Sequence, residues 1–382
     1  MKIFVAGVGL TKFGELWDKT LDDLILESSQ KALADAGIKK EEIDAVFIGN
    51  MLHGKISGQD HLGALVTSLL KINAPATRIE GACASGGLAV QCAVNSLLSG
   101  QYKNVLVVGA EKMTDASTSQ ISAALMGAGS EMERQAGLTF PALYALMAKA
   151  HMQKYGTSKK HMAAVSVKNH YHASLNPLAQ FPYEIDVNKA LSAPLISDPF
   201  TIFDSSPITD GAAAVILSIE GSNKSAGKPQ VFISASESAT DTLDLSERDS
   251  LTEIKATKIA SDKAYAKTGI KPSDIDVLEV HDCFTIAEIL ALEDLGICKK
   301  GLAGDFTIAG NTRLGGKIPV NTSGGLKACG HPVGATGVKQ IVEITEQLRG
   351  SLGKRQVKKP TIGLTQNVGG TGATVVVHIL QI

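Results

Sequence analysis

The stretch Glu80-Gly-Ala-Cys83-Ala-Ser-Gly-Gly87, followed by an apolar run from Leu88 to Ala93, decides the fold of this chain. Small residues surround one cysteine where an extended segment must turn sharply into a buried helix, and no bulky side chain shields the sulfur. The first turn of a helix favours an anion, which would lower the pKa of the thiol and make Cys83 a nucleophile. The alternative is a buried cysteine that acts as a small hydrophobic side chain. The motifs further along the chain favour the nucleophile.

Composition and charge exclude several classes of function. The 382 residues are 44% hydrophobic and 20% charged, which is typical of a globular protein with a large core. The 37 basic and 38 acidic residues leave no overall field to recruit nucleic acid or an anionic membrane. The five cysteines form no Cys-x-x-Cys pair, so no metal site is expected. Neither a signal peptide nor a membrane-spanning run is visible, and we expect a cytoplasmic protein.

Buried strands and amphipathic helices alternate along most of the chain, which indicates a layered α/β architecture. The predicted elements are strand 2–8, helix 20–36, strand 43–48, helix 60–70, the Cys83 helix and strand 104–109. Between Lys112 and Phe203 the composition changes, and two helices are predicted at 141–155 and 158–173 with no buried strand. This segment is interpreted as a mostly helical insertion.

The second part of the chain repeats the first. Residues 34–44 align with residues 266–276 at a shift of 232 (269 minus 37), and residues 210–217 align with 370–377 at a shift of 160 (370 minus 210). The repeat predicts two related halves: residues 1–227, including the insertion at about 112–203, and residues 228–382. The boundary is expected at Gly227-Lys228-Pro229, where a polar stretch separates two buried strands.

Departures from the repeat concentrate reactive side chains. Where the first half has Gly49-Asn-Met-Leu52, the second half has His281-Asp-Cys283-Phe, at the strand end where α/β sheets bind ligands. A third element, Gly330-His331-Pro332, places a histidine among glycines at the start of a helix. Each residue alone could be structural, either a histidine whose ring nitrogens are hydrogen-bonded in a turn or a cysteine packed in the core. Together, Cys83, Cys283 and His331 form a candidate nucleophile and acid/base set.

Four motifs resemble the active-site loops of the thiolases: residues 81–86, 281–284, 330–337 and 367–370. The resemblance covers nearly the whole chain and implies a thiolase fold with two duplicated five-layered α-β-α-β-α halves and a helical loop insertion. It also implies that Cys83 accepts the acyl group, and that His331 takes its proton and helps to bind the thioester oxyanion.

One departure from ordinary thiolases indicates a subclass. The last loop carries Asn367 where a second catalytic cysteine is usual, and the earlier tetrapeptide carries His281 and Cys283. This pattern resembles the archaeal and sterol-carrier-protein type thiolases. It implies that Cys283 is the acid/base and that His281 completes the second oxyanion hole. The further substrate-binding positions implied by the resemblance are Ser323, Gly324, Asn367 and Gly369.

The resemblance predicts interconversion of two acetyl-CoA with acetoacetyl-CoA and CoA, as a biosynthetic step towards mevalonate. No cofactor is expected beyond coenzyme A itself, which is substrate and product. The alternatives are a degradative 3-ketoacyl-CoA thiolase, a hydroxymethylglutaryl-CoA synthase or ketoacyl synthase-like enzyme, and an inactive CoA-binding scaffold. Five lysines of the insertion could meet the CoA phosphates, although surface lysines are usually just solvated: Lys149, Lys154, Lys159, Lys160 and Lys168.

Two kinds of assembly are expected. The apolar strand 104–109 predicts a homodimer or homotetramer, in which equivalent sheet edges pair across a two-fold axis. The subclass resemblance also implies association with hydroxymethylglutaryl-CoA synthase through a small bridging protein with a zinc ribbon and an OB fold.

Overall fold

The computed structural model describes residues 1–220 and 229–382, in which eleven strands and thirteen α-helices occur. The strands are β1 (Ile3–Leu10), β2 (Ala45–Gly49), β3 (Ala76–Ile79), β4 (Asn104–Glu111), β5 (Leu195–Ser197), β6 (Phe200–Thr201), β7 (Gly211–Ser218), β8 (Phe232–Thr240), β9 (Val277–Glu279), β10 (Ile362–Gly369) and β11 (Thr374–Gln381). The helices are α1 (Leu21–Ala36), α2 (His53–Ile56), α3 (Leu62–Leu70), α4 (Ser85–Leu98), α5 (Thr118–Leu125), α6 (Glu131–Gln135), α7 (Phe140–Tyr155), α8 (Lys159–Ser174), α9 (Val187–Ser192), α10 (Lys255–Thr268), α11 (Thr285–Asp294), α12 (Ala303–Ile308) and α13 (Thr336–Arg349). The predicted boundary at residues 227 and 228 lies outside the described residues.

The strand order shows the duplication directly. The main sheet runs β3-β2-β4-β7-β1-β8-β11-β10-β9. Its first five strands form one half and its last four the other, and the two halves meet edge to edge where Ile3 and Phe4 pair with Ile233 and Phe232. Each half has a parallel pair (β2 with β4, β9 with β10), followed by two antiparallel pairings towards the junction. A parallel bridge from Leu278 to Val320 stands where β3 lies in the first half.

The ladders correct one of the two sequence alignments. Phe47 pairs with Val107, and Glu279, its equivalent at a shift of 232, pairs with Thr365. Val107 then pairs with Val215, whereas Thr365 pairs with His378, which gives a shift of 163 (378 minus 215) for the last strand. The expected shift of 160 is therefore wrong by three residues, because it aligns the glycine-rich turn after β10 with the start of β7.

Helices and sheets alternate in five layers through the molecule. Helices α1 and α3 cover the outer face of the first half, with Leu24, Ile25 and Val66 in the core beneath them. Helices α4 and α13, one from each half, form the central layer and pack their apolar faces on both halves of the sheet. Helices α10 and α11 cover the outer face of the second half. The α-β-α-β-α arrangement is thus confirmed, with the five layers counted over both halves and the central layer shared.

The insertion between β4 and β7 is mostly helical, as predicted, and it holds α5 to α9 and the hairpin β5-β6. Its long helices α7 and α8 pack on the second half near α11. No helix within the described ranges is long and apolar enough to cross a membrane.

The predicted dimer edge is misplaced. Strand β4 lies inside the sheet between β2 and β7, so its backbone groups are already paired. Its apolar character reflects burial on both faces of the sheet. Among the described strands, β3 is at the outer edge of the first half.

Candidate active site

Cys83 lies in a tight turn directly before α4. Ala82 adopts a left-handed backbone conformation (φ 53°), which is uncommon for a residue with a Cβ. The Ser85 hydroxyl holds this turn, because its oxygen accepts the Gly81 N–H at 3.0 Å and its proton is donated to the Ala82 carbonyl at 2.6 Å. The turn presents the Cys83 side chain, which is 9% exposed, to an internal cavity.

Helices α4 and α13 touch through glycine backbone at their first turns. A Cβ built on Gly86 would lie 2.7 Å from the Gly334 carbonyl oxygen and 3.0 Å from the Gly337 nitrogen. Real side chains do not tolerate such contacts, so glycine is needed for this close approach. The contact brings the loop of His331, just before Gly334, next to the turn of Cys83.

His331 is held in one tautomer. Its Nδ1 lies 2.7 Å from the Thr336 hydroxyl, which donates its own proton to the Pro332 carbonyl at 3.1 Å. The hydroxyl oxygen must therefore accept a hydrogen bond from Nδ1–H, and Nε2 carries the lone pair. The His331 backbone N–H is fixed by the Thr209 hydroxyl at 3.0 Å. In the neutral imidazole of His331, Nε2 is thus the unprotonated nitrogen that can accept a proton.

His281 has the opposite tautomer. The Asn367 amide is oriented by its partners, since Oδ1 accepts the Gly87 N–H at 3.1 Å and Nδ2 donates to the Cys83 carbonyl at 3.0 Å. The same Nδ2 lies 3.2 Å from His281 Nδ1, which must accept. The proton of neutral His281 is then on Nε2, a buried atom without a hydrogen-bond partner among the described residues. An N–H donor left unpaired in a buried site is suited to a ligand oxygen.

The three side chains form one cluster. The His281 and His331 rings lie edge to face with centroids 5.0 Å apart, and donor atoms of Cys83, His281 and His331 all lie within 4.8 Å of one another. One thiol and two imidazoles at this spacing could hold a soft metal ion. The hydrogen bonds instead give the histidines different protonation patterns, one basic nitrogen and one N–H donor, which suits proton transfer and oxyanion binding.

The pKa of Cys83 contradicts the expectation from helix position. Burial raises the pKa of this thiol to about 12, and hydrogen bonding from the backbone N–H groups of Gly370 and Cys83 itself opposes the rise only in part. Burial likewise lowers the pKa of His331 to about 3 and that of His281 well below its usual range. The unliganded site therefore holds a neutral thiol beside a neutral imidazole, because an ion pair here would lack solvation.

Cys283 lies on the same cavity, 7% exposed, at the entry to α11. Burial raises its pKa, and the nearby Tyr144 hydroxyl opposes the rise. Tyr144 comes from the insertion and donates to the Gly370 carbonyl at 3.0 Å, while its ring stacks on Phe284 at 4.7 Å. Tyr144 therefore links the acid/base candidate to the loop that faces Cys83. Nothing in the sequence around Tyr144 indicated this contact.

The cavity has a volume of about 490 Å³ and is largely apolar. The second half contributes Cys283, Phe284, Lys327, His331, Val333 and Gly370. Most of the wall comes from the insertion, with Ile121, Leu125, Phe140, Phe181 and Phe203 among its larger side chains. An apolar enclosure with a few convergent polar groups is typical of a small-molecule site.

His281 and the predicted substrate-binding residues are not among the residues that line this cavity. The Ser323 hydroxyl donates to Glu279 at 2.7 Å, and Asn367 uses its amide on the three partners described above. Gly324 packs on Ala173, and Gly369 lies against the Gly81 carbonyl. Substrate contact by Ser323, Gly324, Asn367 and Gly369 stays a prediction.

The lysines suggested for the CoA phosphates lie elsewhere. Lys149 and Lys159 pair with Asp198 at 3.1 and 3.3 Å, and Lys168 is buried against Glu288 at 2.8 Å. Lys154 and Lys160 do not line the cavity either. The lysine that does line it is Lys327, and no sequence pattern marks it among the small residues before His331.

Comparisons with known proteins point to one family. Family models match over residues 3–221 (thiolase, N-terminal domain) and residues 237–382 (thiolase C-terminal domain-like). An acetyl-CoA acetyltransferase of Methanothermobacter thermautotrophicus is 46% identical over 99% of both chains, and one of Methanocaldococcus jannaschii is 44% identical over 99% of this chain and 98% of that one. Sterol carrier protein 2 of Bos taurus is 37% identical, over 98% of this chain and 71% of its own length.

Two solved structures share the fold. A chain of the Ltp2-ChsH2(DUF35) aldolase superposes with a TM-score of 0.84 at 24% identity, covering 100% of this chain and 97% of that one. An acetyl-CoA acetyltransferase from Syntrophomonas wolfei superposes with a TM-score of 0.76 at 20% identity, covering 100% and 98%.

Proposed function

The chain belongs to the thiolase family and is an acyltransferase, and on that premise we propose that it condenses two acetyl-CoA into acetoacetyl-CoA and CoA. The observation that carries the proposal is the pair of opposite tautomers beside Cys83. A basic nitrogen on His331 and an N–H donor on His281 are what acyl transfer and enolate chemistry need at one sulfur.

The first half-reaction acylates Cys83. His331 Nε2 takes the thiol proton as the sulfur attacks the thioester carbonyl of acetyl-CoA, and the bond to the CoA sulfur breaks. His331 then gives that proton to the departing CoA thiolate. A concerted transfer suits this site, because burial keeps both the thiol and the imidazole neutral before substrate arrives. The backbone N–H groups of Cys83 and Gly370 are the proposed donors to the thioester oxyanion, with help from His331.

The second half-reaction forms the carbon–carbon bond. Cys283 passes its proton to His331 and, as a thiolate, removes an α-proton from the second acetyl-CoA. The enolate oxygen accepts the unpaired Nε2–H of His281, and the enolate carbon attacks the acetyl group on Cys83. Cys83 leaves as a thiolate and takes back the proton on His331. All protons are returned, and coenzyme A is the only cofactor-like molecule required.

The experiment is to mix the protein with acetyl-CoA, quench within milliseconds to seconds, and measure intact and peptide masses. We expect one acetyl group per chain, located on Cys83, and acetoacetyl-CoA in solution. A protein that binds acetyl-CoA without acetylation of Cys83 would be the inactive scaffold. Release of carbon dioxide from a malonyl thioester would instead support the ketoacyl synthase alternative.

Direction, pathway and assembly form a further part of the proposal. We propose condensation in the cytoplasm that supplies mevalonate synthesis, in a homodimer or homotetramer that pairs through the outer edge strand β3. Association with hydroxymethylglutaryl-CoA synthase and a zinc-ribbon/OB-fold bridging protein is also proposed. A solved protein of the same fold, the Ltp2-ChsH2(DUF35) aldolase, is named together with a DUF35 protein, which supports association with a second protein. Co-purification from the native cell and light scattering of the pure chain test these points separately.

A further inference from the structure

One charged side chain of the cavity has no task in this reaction. Lys327 lies on the π-helical turn Gly325–Cys329, is 2% exposed, and lines the same cavity as Cys83. Among the described residues that line the cavity, it is the only Lys, Arg, Asp or Glu. The rest of the wall is mostly apolar or aromatic with a few neutral polar side chains, so this ammonium group stands out as a specific feature.

Among the described residues, none pairs with the Lys327 ammonium, and the hydrogen bond seen at this residue is made by its backbone N–H to Asp282. Its Nζ lies 5.6 Å from the centroid of the Phe203 ring and 6.0 Å from that of Phe181, so aromatic faces surround it. Burial lowers its pKa to about 8, and Asp204 and Asp282 counter this at longer range.

The two nearby carboxylates are already occupied. Asp204 accepts the Thr201 N–H at 2.8 Å and the Thr285 hydroxyl at 2.7 Å. Asp282 accepts the Asn169 amide and the Leu326 N–H, both at 2.7 Å. A buried ammonium with three unused donors is costly unless an anion or acceptor completes it. This ammonium is therefore suited to an anionic or hydrogen-bond-accepting group of a ligand in the cavity.

We propose that Lys327 is an anion subsite of the cavity and that it binds a carboxylate at the far end of the acyl chain of an acyl-CoA substrate. The inference rests on the proposed function and names a further substrate class for the same site. The Lys327 backbone N–H donates to Asp282, directly before Cys283, so this lysine is anchored at the catalytic end of the cavity. The CoA phosphates are separated from the thioester by the whole pantetheine arm, which makes them the weaker candidates.

The test compares two four-carbon acyl groups that differ in a terminal carboxylate. Initial rates of Cys83 acylation by succinyl-CoA and butyryl-CoA are measured by rapid quench and mass spectrometry, corrected for hydrolysis without enzyme. In Lys327→Met, we expect the ratio of kcat/KM for succinyl-CoA over butyryl-CoA to fall about 10- to 100-fold, as for loss of a charged hydrogen bond. Lys189→Met is the matched control, because exposed Lys189 lies 5.8 Å from the same Phe203 ring and should leave the ratio unchanged.

Repeating the measurement with N-acetylcysteamine thioesters, which carry no phosphate, identifies the anion. The fall in ratio must persist there, and a fall seen only with CoA thioesters would overturn the proposal. An unchanged ratio in both Lys327→Met and Lys327→Gln, with thermal unfolding like that of the wild type, would overturn it as well. Acetylation of wild-type Cys83 by acetyl-CoA is recorded in parallel, so that failure of the proposed function is seen separately.

Discussion

The two halves of the molecule carry different residues at the ends of their equivalent parallel strands. In the first half, Gly49 on β2 pairs with Gly109 on β4. In the second half, Glu279 pairs with Thr365, so that two residues further on His281 faces Asn367, and their side chains are hydrogen-bonded at 3.2 Å. We call these the glycine strand ends and the polar strand ends.

The glycine strand ends are closed by packing. A Cβ on Gly49 would lie 2.8 Å from the Gly86 backbone, and one on Gly109 would lie 2.5 Å from the Gly334 carbonyl oxygen. Next to them the buried Glu111 carboxylate accepts the Gly334 N–H at 3.1 Å, and burial raises its pKa to about 7. The first half thus anchors the loop that carries His331.

The polar strand ends face Cys83. There the same backbone positions carry an imidazole and an amide in place of two hydrogens. The duplication thus provides the same strand framework in both halves, whereas the reactive side chains lie at the strand ends of the second half only. The glycine strand ends of the first half instead form a packing contact that fixes the position of His331.

Replacing Cys83 with alanine should have the largest effect on activity, because it removes the reactive sulfur that the polar strand ends face. We expect condensation and thiolysis to fall by on the order of 10⁴- to 10⁶-fold, as for loss of a catalytic nucleophile. Thermal unfolding should change little, since one sulfur is lost among small residues. Cys92→Ala, a half-buried thiol on α4, is the control and should retain activity. Substantial condensation by Cys83→Ala would end the case for this nucleophile.

Cys283→Ala should come next. This variant should still be acetylated on Cys83, because His331 and the thiol remain, and then stall without removing the α-proton of the second acetyl-CoA. We expect a loss of about 10²- to 10⁴-fold in condensation. Quenched mass spectrometry should show trapped acetyl-enzyme. If Cys283→Ala exchanges the α-protons of acetyl-CoA at the wild-type rate, the acid/base lies elsewhere.

Asn367→Asp tests the tautomer of His281. An aspartate oxygen would accept a proton from Nδ1, leaving Nε2 as a lone pair where the enolate needs a donor. Deuterium exchange into acetyl-CoA should slow by about 10²-fold. Asn367→Ala is the matched control and should cost less, because it leaves His281 free to keep Nε2–H. Equal losses in the two variants would mean that the amide acts only by packing.

His378→Val should give the smallest effect, a pH-dependent change in stability. The residue equivalent to His378 in the first half is Val215, so this variant makes the two halves alike at that position. Burial lowers the pKa of His378 to about 4, and hydrogen bonding with the Gly87 backbone opposes this only in part. The unfolded histidine titrates near 6.5, so the unfolded chain binds more protons between these values, and this site costs the folded protein stability as pH falls. We expect the free energy of unfolding of His378→Val, relative to that of the wild type, to be about 1–2 kcal/mol higher at pH 5 than at pH 8 in urea unfolding. A pH-independent difference would contradict this.

Much of this comparison could be predicted from the sequence, because the motifs around Cys83, His281, Cys283 and His331 lie at element ends that the α/β pattern locates. The protonation states could not. The pKa of Cys83 depends on burial and on Gly370, far away in the chain, and the tautomers depend on Thr336 and Asn367.

Other features required knowledge of strand pairing or long-range packing. The apolar character of β4 indicates burial but not which strands flank it, so the sequence predicts an edge where the fold has an inner strand. Tyr144 and Lys327 lie in stretches without a distinctive pattern, and only the folded insertion brings Tyr144 to the sulfur of Cys283. Periodicity locates elements, whereas these contacts arise between elements.

The glycine contact between α4 and α13 has a consequence for how such proteins diversify. The spacing of nucleophile and base is set by contacts between backbone atoms, which a side-chain substitution does not replace. The insertion, in contrast, supplies most of the cavity wall through its side chains. Mutations in the insertion can therefore change which acyl group is accepted without retuning the reaction itself. Selection for new substrates should therefore change residues 112–203, whereas the glycines at the two helix starts should stay the same.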